Sequence, residues 1–209
     1  MTDLLRDLLL ESRQLGFLGP GPVEDHLGHA RAFAVLPQRA PDLALDLGAG
    51  GGLPGLVLAA TTWPDARWVF LDAHQRRTQF LTEAVDALGL AYRVEVVRAR
   101  AEEFGREEGR RGAFDLVVAR SFGAPAVTAE CAAPLLRVGG ELLVSEPPEA
   151  TTSERWPRDG LAELGLGGPE RQVVDASGVP VHLVRLVLEE ACGERYPRRV
   201  GVPSKRPLF

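Results

Sequence analysis

Cysteine is nearly absent from this chain of 209 residues. Only Cys131 and Cys192 occur, far apart and without ligand spacing, which excludes a disulfide framework and a thiolate metal site and indicates a reduced, cytoplasmic chain. The four histidines show no ligand pattern either, so no metal is expected; His26 and His29, three apart on one helix, are read as surface or packing residues. No apolar run reaches ~18 residues, so no membrane span is expected. The leucines near the start follow no basic segment, which argues against a secretory leader. A basic excess is also missing. The formal net charge of −5 excludes a uniformly basic nucleic-acid binder and leaves room only for a local patch. Internal repeats and low-complexity tracts are absent.

What is present is an alternation of strand and helix. Leu4, Leu5, Leu8, Leu9 and Leu15 recur at helical spacing around charged residues, and Val23–Leu36 reads as a second helix. Strands are expected at Leu43–Leu47, Arg67–Leu71, Arg93–Arg98, Phe114–Ala119 and Glu141–Ser145, with helices at Pro54–Thr62, His74–Leu88 and Ala124–Arg137. Such alternation indicates βαβ units and a parallel sheet, hence an α/β fold. After Ser145 the stretch "SEPPEATTSERWPRDG" reads as a loop with room for a short helix. Arg171–Ala176 and Val181–Leu188 then follow with only "SGVP" between them, a gap suited to an antiparallel hairpin. The expected organisation is one domain: a helical extension over 1–37, a core over 38–190 and a basic tail over 191–209. A monomer is the expected unit.

"LALDLGAGGGLPGLVLAA" carries the first functional signal. Five glycines fall in the eight positions from Gly48 to Gly55, directly after a strand. Gly50, Gly52 and Gly55 fit G-x-G-x-x-G, while Asp46, Gly48, Gly50 and Gly52 fit D-x-G-x-G-x-G. Both patterns let a nucleotide approach the main chain at a strand-to-helix turn. Asp46 separates them. A carboxylate there repels a pyrophosphate, but it suits S-adenosylmethionine, which carries a sulfonium and an ammonium group. Asp72 ends the second strand, twenty residues after Gly52, where a carboxylate accepts hydrogen bonds from ribose hydroxyls. Ala101 and Glu102 follow the third strand; their backbone is the expected adenine contact, and Glu102 with Glu103 also suits a helix start. Arg120 ends the fourth strand, at the sheet edge where ligands bind in this topology. The tail holds Arg195, Arg198, Arg199, Lys205 and Arg206 with no acid among them, a pattern equally open to phosphate contact and to a solvated end. Arg76 and Arg77 open a helix, a placement that suggests a phosphate-facing surface.

Five segments in order resemble one family: "LDLGAGGGLPGLVLA", "LDAHQRRTQFLTEAVDALGL", "RAEEF", "FDLVVARSF" and "YPRRVGVPSKRPL". Over Val23 to Leu208 the chain resembles the RsmG (GidB) family of small-subunit ribosomal RNA guanine-N7 methyltransferases, and its terminal signature is the most specific part. The resemblance implies a class I methyltransferase (Rossmann-like) fold, a mostly parallel sheet closed by a C-terminal antiparallel hairpin. It implies S-adenosylmethionine as cofactor, held at Gly48, Leu53, Ala101, Glu102 and Arg120, together with Asp46, Gly50, Gly52 and Asp72 of the loop reading. Small-subunit ribosomal RNA is the implied partner, met by Arg198, Arg199, Lys205 and Arg206. Arg120 is the expected positioning residue of a reaction that needs no general base, because guanine N7 has a free lone pair. Three departures fall on the RNA side. The "N-L-T" segment of the family's N-terminal region is missing, Arg120-Ser121-Phe122 replaces R-A-F, and Glu146 stands where many members have a lysine-glycine pair. A small-molecule methyltransferase and a non-catalytic, cofactor-binding assembly protein are the alternatives left open.

Overall fold

The computed structural model describes residues 2–148 and 155–209. Its frame is a seven-stranded sheet of β1 (Leu43–Leu47), β2 (Arg67–Asp72), β3 (Val94–Arg98), β4 (Phe114–Ala119), β5 (Leu136–Ser145), β6 (Glu170–Ala176) and β7 (Val179–Val187). The order is β3-β2-β1-β4-β5-β7-β6. The first five strands run parallel, and β7 lies antiparallel to both β5 and β6. The chain leaves β1 toward β2 on one side and later returns to β4 on the other. The switch point therefore lies between β1 and β4, where a crevice opens beyond the carboxyl ends of the strands.

Strand alternation sorts the core into two layers. Ala44, Trp68, Phe70, Leu116 and Val118 face one side of the sheet; Leu45, Leu47, Val69, Leu71, Val117 and Ala119 face the other. Burial of each large aliphatic chain contributes roughly 1.5–3 kcal/mol. The first layer is covered by α1 (Thr2–Gln14), α2 (Val23–Ala32), α3 (Gly55–Thr61) and α4 (Gln75–Ala87). On α1 the buried residues are Leu5, Leu8, Leu9 and Ser12, one helical stripe. Ser12 Oγ donates to Gly51 O at 2.9 Å, tying the stripe to the glycine loop.

The second layer lies under α5 (Ala101–Phe104), α6 (Pro125–Ala132), α7 (Arg158–Ala162) and the tail, whose only helix among the described residues is α8 (Val202–Lys205). The tail is docked. Arg111 donates to the carbonyls of Cys192, Gly193 and Tyr196 at 2.6–2.8 Å. Cys131 and Cys192 are both buried and unpaired.

Three sequence expectations shift. The helix expected at Ala124–Arg137 ends at Ala132; a 3-10 turn covers Ala133–Leu135, and Leu136 already pairs with Phe114 in the sheet. The helix expected through Leu36 ends at Ala32 and tightens to a 3-10 turn over Phe33–Val35. The hairpin turn is only Ser177 and Gly178, closed by Gly178 N–H donating to Asp175 Oδ1 at 2.6 Å. Within the expected loop after β5, residues 149–154 lie outside the described residues, and α7 begins at its far end. Among the described residues no helix is long and apolar enough to cross a membrane.

Candidate functional site

The glycine loop explains its own composition. Gly48 has φ +75, and a Cβ there would meet the Phe122 ring at 2.6 Å. A Cβ on Gly55 would meet Asp46 Oδ2 at 2.5 Å and the Phe70 ring at 2.8 Å, so α3 starts directly against β1 only because this residue has no side chain. Gly55 N–H donates to Asp46 Oδ2 at 2.6 Å. Gly48 N–H and Ala49 N–H both donate to Leu71 O at 2.9 Å, and Gly50 N–H donates to Asp72 Oδ2 at 3.0 Å. The two carboxylates thus pin the loop from both ends.

Asp46 is fully buried. Burial raises its carboxyl to about 7; the Gly55 bond opposes the rise and the nearby Asp72 adds to it. Asp46 and Gly52 line neither hollow described below. Both turn toward α3, because strand alternation puts Asp46 on the same face as Ala44, opposite Leu45 and Leu47. Asp46 buttresses the loop through its bond to Gly55, while its Oδ1 is buried with no partner among the described residues.

Two hollows open at the switch point. The larger, about 380 Å³, is lined by Gly48, Asp72, Ala101, Glu102, Phe122 and the tail residue Ser204, among others. The smaller, about 200 Å³, is lined by Leu18, Gly48, Gly50, Leu53, Arg120 and Ser121, among others. Gly48, Arg77 and Ser121 line both, so the hollows adjoin. Ser121 has φ +57, uncommon for a residue with a side chain. In the larger hollow Asp72 accepts from Gly50 N–H and, through Oδ1, from His74 N–H at 2.8 Å. Each carboxylate oxygen has a second lone pair, so the group retains capacity for a hydroxyl donor. Glu102 lines this hollow too, but its Oε1 accepts from Gly201 N–H at 2.9 Å and so also ties down the tail.

Arg120 enters the smaller hollow from the end of β4. Its Nη2 is 2.9 Å from His26 Nδ1. Its Nη1 is buried with no partner among the described residues. Burial lowers the guanidinium pKa, and Asp46 partly offsets that; the group stays charged. The sequence reading missed His26. Its signal was the pair of histidines three apart on one helix face. His29 is packed as expected, with Nε2 2.9 Å from Ser145 Oγ, and burial lowers its pKa to about 4.

The residues present suit S-adenosylmethionine. A buried guanidinium nitrogen with no partner among the described residues would suit the cofactor's carboxylate, and Asp72, with lone pairs left over, would suit ribose hydroxyls. Among the described residues no cluster of His, Cys, Asp or Glu could hold a metal.

The basic tail divides. Arg198, expected to meet RNA, instead pairs with Glu130, a fully buried carboxylate on α6. Arg198 Nε and Nη2 donate to Glu130 Oε1 and Oε2 at 2.8 and 2.6 Å, and the backbone N–H of Arg198 adds a third bond at 2.8 Å. A buried carboxylate requires such a partner, so Arg198 holds the tail to the fold. Arg199, Lys205 and Arg206 are exposed, and their side chains have no partner among the described residues. Glu146 is buried and pairs with Arg155, Oε2 to Nε at 2.7 Å, so a cation stands beside it. Arg195 bonds Glu163 at 2.7 Å, and its guanidinium lies 4.8 Å over the Tyr196 ring.

Comparison with known proteins places this geometry. The family described as "GidB: rRNA small subunit methyltransferase G" matches residues 24–150. The ribosomal RNA small subunit methyltransferase G of Parasynechococcus marenigrum is 38% identical over 168 residues, 79% of this chain and 67% of that relative. The protein of the same name from Rubrobacter xylanophilus is 37% identical over 195 residues, 89% of this chain and 72% of that relative. Among solved structures, an O-methyltransferase from Bacillus cereus in complex with SAH superposes with a TM-score of 0.63 at 16% identity, covering 89% of this chain and 90% of that one, a likeness of fold. On the family match and the identity to its named members, the chain belongs to the GidB family of rRNA small subunit methyltransferases G.

Proposed function

We propose that this chain transfers a methyl group from S-adenosylmethionine to guanine N7 in small-subunit ribosomal RNA. The observation that carries the reading is the adjoining pair of hollows, with Asp72 in one and the unpartnered Arg120 nitrogen in the other. A nucleoside joined to an amino acid has that polarity: ribose hydroxyls for a carboxylate at one end, a carboxylate for a guanidinium at the other. Gly48, Gly50, Leu53, Ala101 and Glu102 are the remaining proposed cofactor contacts. Asp46 and Gly52 act behind them by shaping the loop.

The cofactor supplies an electrophilic methyl group on its sulfonium. A ring nitrogen with a free lone pair loses no proton as it attacks, so these residues contribute alignment and charge placement. Arg199, Lys205 and Arg206 are the proposed phosphate contacts. A monomer is the proposed working unit, and a ribosomal RNA substrate fits a cytoplasmic location. The test is transfer of labelled methyl from S-adenosylmethionine to small-subunit RNA, followed by mapping of the modified base. Efficient transfer to a small molecule with none to RNA would refute the reading.

A further inference from the structure

His26 and Arg120 come from distant parts of the chain and meet inside the site. A guanidinium only donates hydrogen bonds, so His26 Nδ1, 2.9 Å from Arg120 Nη2, is the acceptor. A neutral imidazole with a bare Nδ1 carries its proton on Nε2, and His26 Nε2 lies 3.2 Å from Gly19 O. One neutral tautomer thus satisfies both contacts. It joins β4 to the 17–19 segment, whose Phe17, Leu18 and Gly19 line the smaller hollow. Beside Nη2, held this way, Nη1 is buried with no partner among the described residues.

Resting on the cofactor reading above, we propose that His26 is a positioning residue: as the neutral Nε2–H tautomer it fixes Arg120 so that Nη1 is offered to the cofactor's carboxylate, and it fastens the Gly19 segment over the same hollow. The role requires an uncharged ring. Burial, then Arg120, lowers the His26 pKa, and the Gly19 bond opposes the shift. The charged and titratable groups acting on His26 are Arg120 on β4, Asp25 and His29 on α2, and Arg13 on α1. Glu24, also on α2, is turned to Arg6. A proton added at Nδ1 would replace an acceptor with a donor facing a guanidinium.

Two amide substitutions divide the two contacts. His26→Asn puts an oxygen near the Nδ1 position and keeps the acceptor for Arg120. His26→Gln reaches toward the Nε2 position, keeping the Gly19 contact and losing the acceptor. Calorimetry with S-adenosylhomocysteine reads the result, and thermal melts check that each variant folds. His26→Asn should stay within a few-fold of wild type, whereas His26→Gln should bind about 10-fold more weakly. From about pH 7.5 to about pH 5 the wild-type affinity should fall more steeply than that of His26→Asn, which retains only the Asp46 titration near 7; His29 titrates lower. Equal affinities for the two folded variants, or the same pH dependence in His26→Asn as in wild type, would overturn the proposal. Failure of wild-type protein to bind S-adenosylhomocysteine at any pH would remove the cofactor reading beneath it, a distinct outcome.

Discussion

The Arg198–Glu130 pair decides whether the tail is part of the fold or a free arm. In Arg198→Ala, Glu130 loses two of its three donors and keeps only the backbone N–H of residue 198. Breaking a buried pair from one side costs about 3–5 kcal/mol. The lower end applies here, because one donor remains and the tail can swing away to let water reach the carboxylate. A cost of about 3 kcal/mol changes the docked-to-undocked ratio by roughly 150-fold. Trypsin cleavage after Arg199, which requires the undocked tail, should accelerate by at least an order of magnitude. Cofactor affinity should fall with it, since Ser204 lines the larger hollow and Gly201 N–H bonds Glu102. Glu130→Gln leaves every cleavage site in place and should move both readouts the same way. Wild-type cleavage rate and wild-type cofactor affinity in Arg198→Ala would refute the argument.

Other expectations follow from the same geometry. The Asp46 carboxyl is lifted from 3.8 to about 7, so its neutral form favours the folded state. That contribution is complete below about pH 4 and is lost as pH rises through about 7, up to about 4 kcal/mol in all; melts of cofactor-free Asp46→Asn should show a flatter pH dependence over this interval. Asp72→Ala should weaken S-adenosylhomocysteine binding by ~1–3 kcal/mol through lost charge-assisted bonds, and calorimetry showing no change would remove Asp72 from the site. Each alanine at Arg199, Lys205 or Arg206 should reduce the log–log salt slope of RNA binding by about 0.7–0.9, with cofactor affinity unchanged. An unaltered slope in the triple variant would place the RNA surface elsewhere.

Much of the frame was legible in the sequence. β1 and β4 have the expected bounds, because each is an apolar run enclosed by turn formers on both sides. β5 begins five residues before the expected Glu141, since nothing in "AAPLLRV" marks where a buried helix gives way to a buried strand. The loop glycines, Asp72 and Arg120 could be placed because local spacing around strand ends locates them. The charge of Asp46 is legible in the sequence, while the face it occupies and its bond to Gly55 are not. Glu130 looked like an ordinary polar helix residue, and its partner lies 68 residues further on. The His26–Arg120 contact spans 94 residues. Such pairs exist only after the sheet has brought its edges together, so no local pattern announces them.

The position of Ser204 in the wall of the larger hollow bears on how the site is completed. The tail follows every strand of the sheet: β7 ends at Val187 and Ser204 comes 17 residues later. Pairing of the sheet and docking of the tail are therefore separable events. A chain with its sheet paired and its tail undocked possesses Asp72 and the glycine loop while lacking both the wall at Ser204 and the Arg198 counter-ion of Glu130. The cofactor site is complete only once the two ends of the fold have met, so a defect in docking is felt at the site even when every strand is in place.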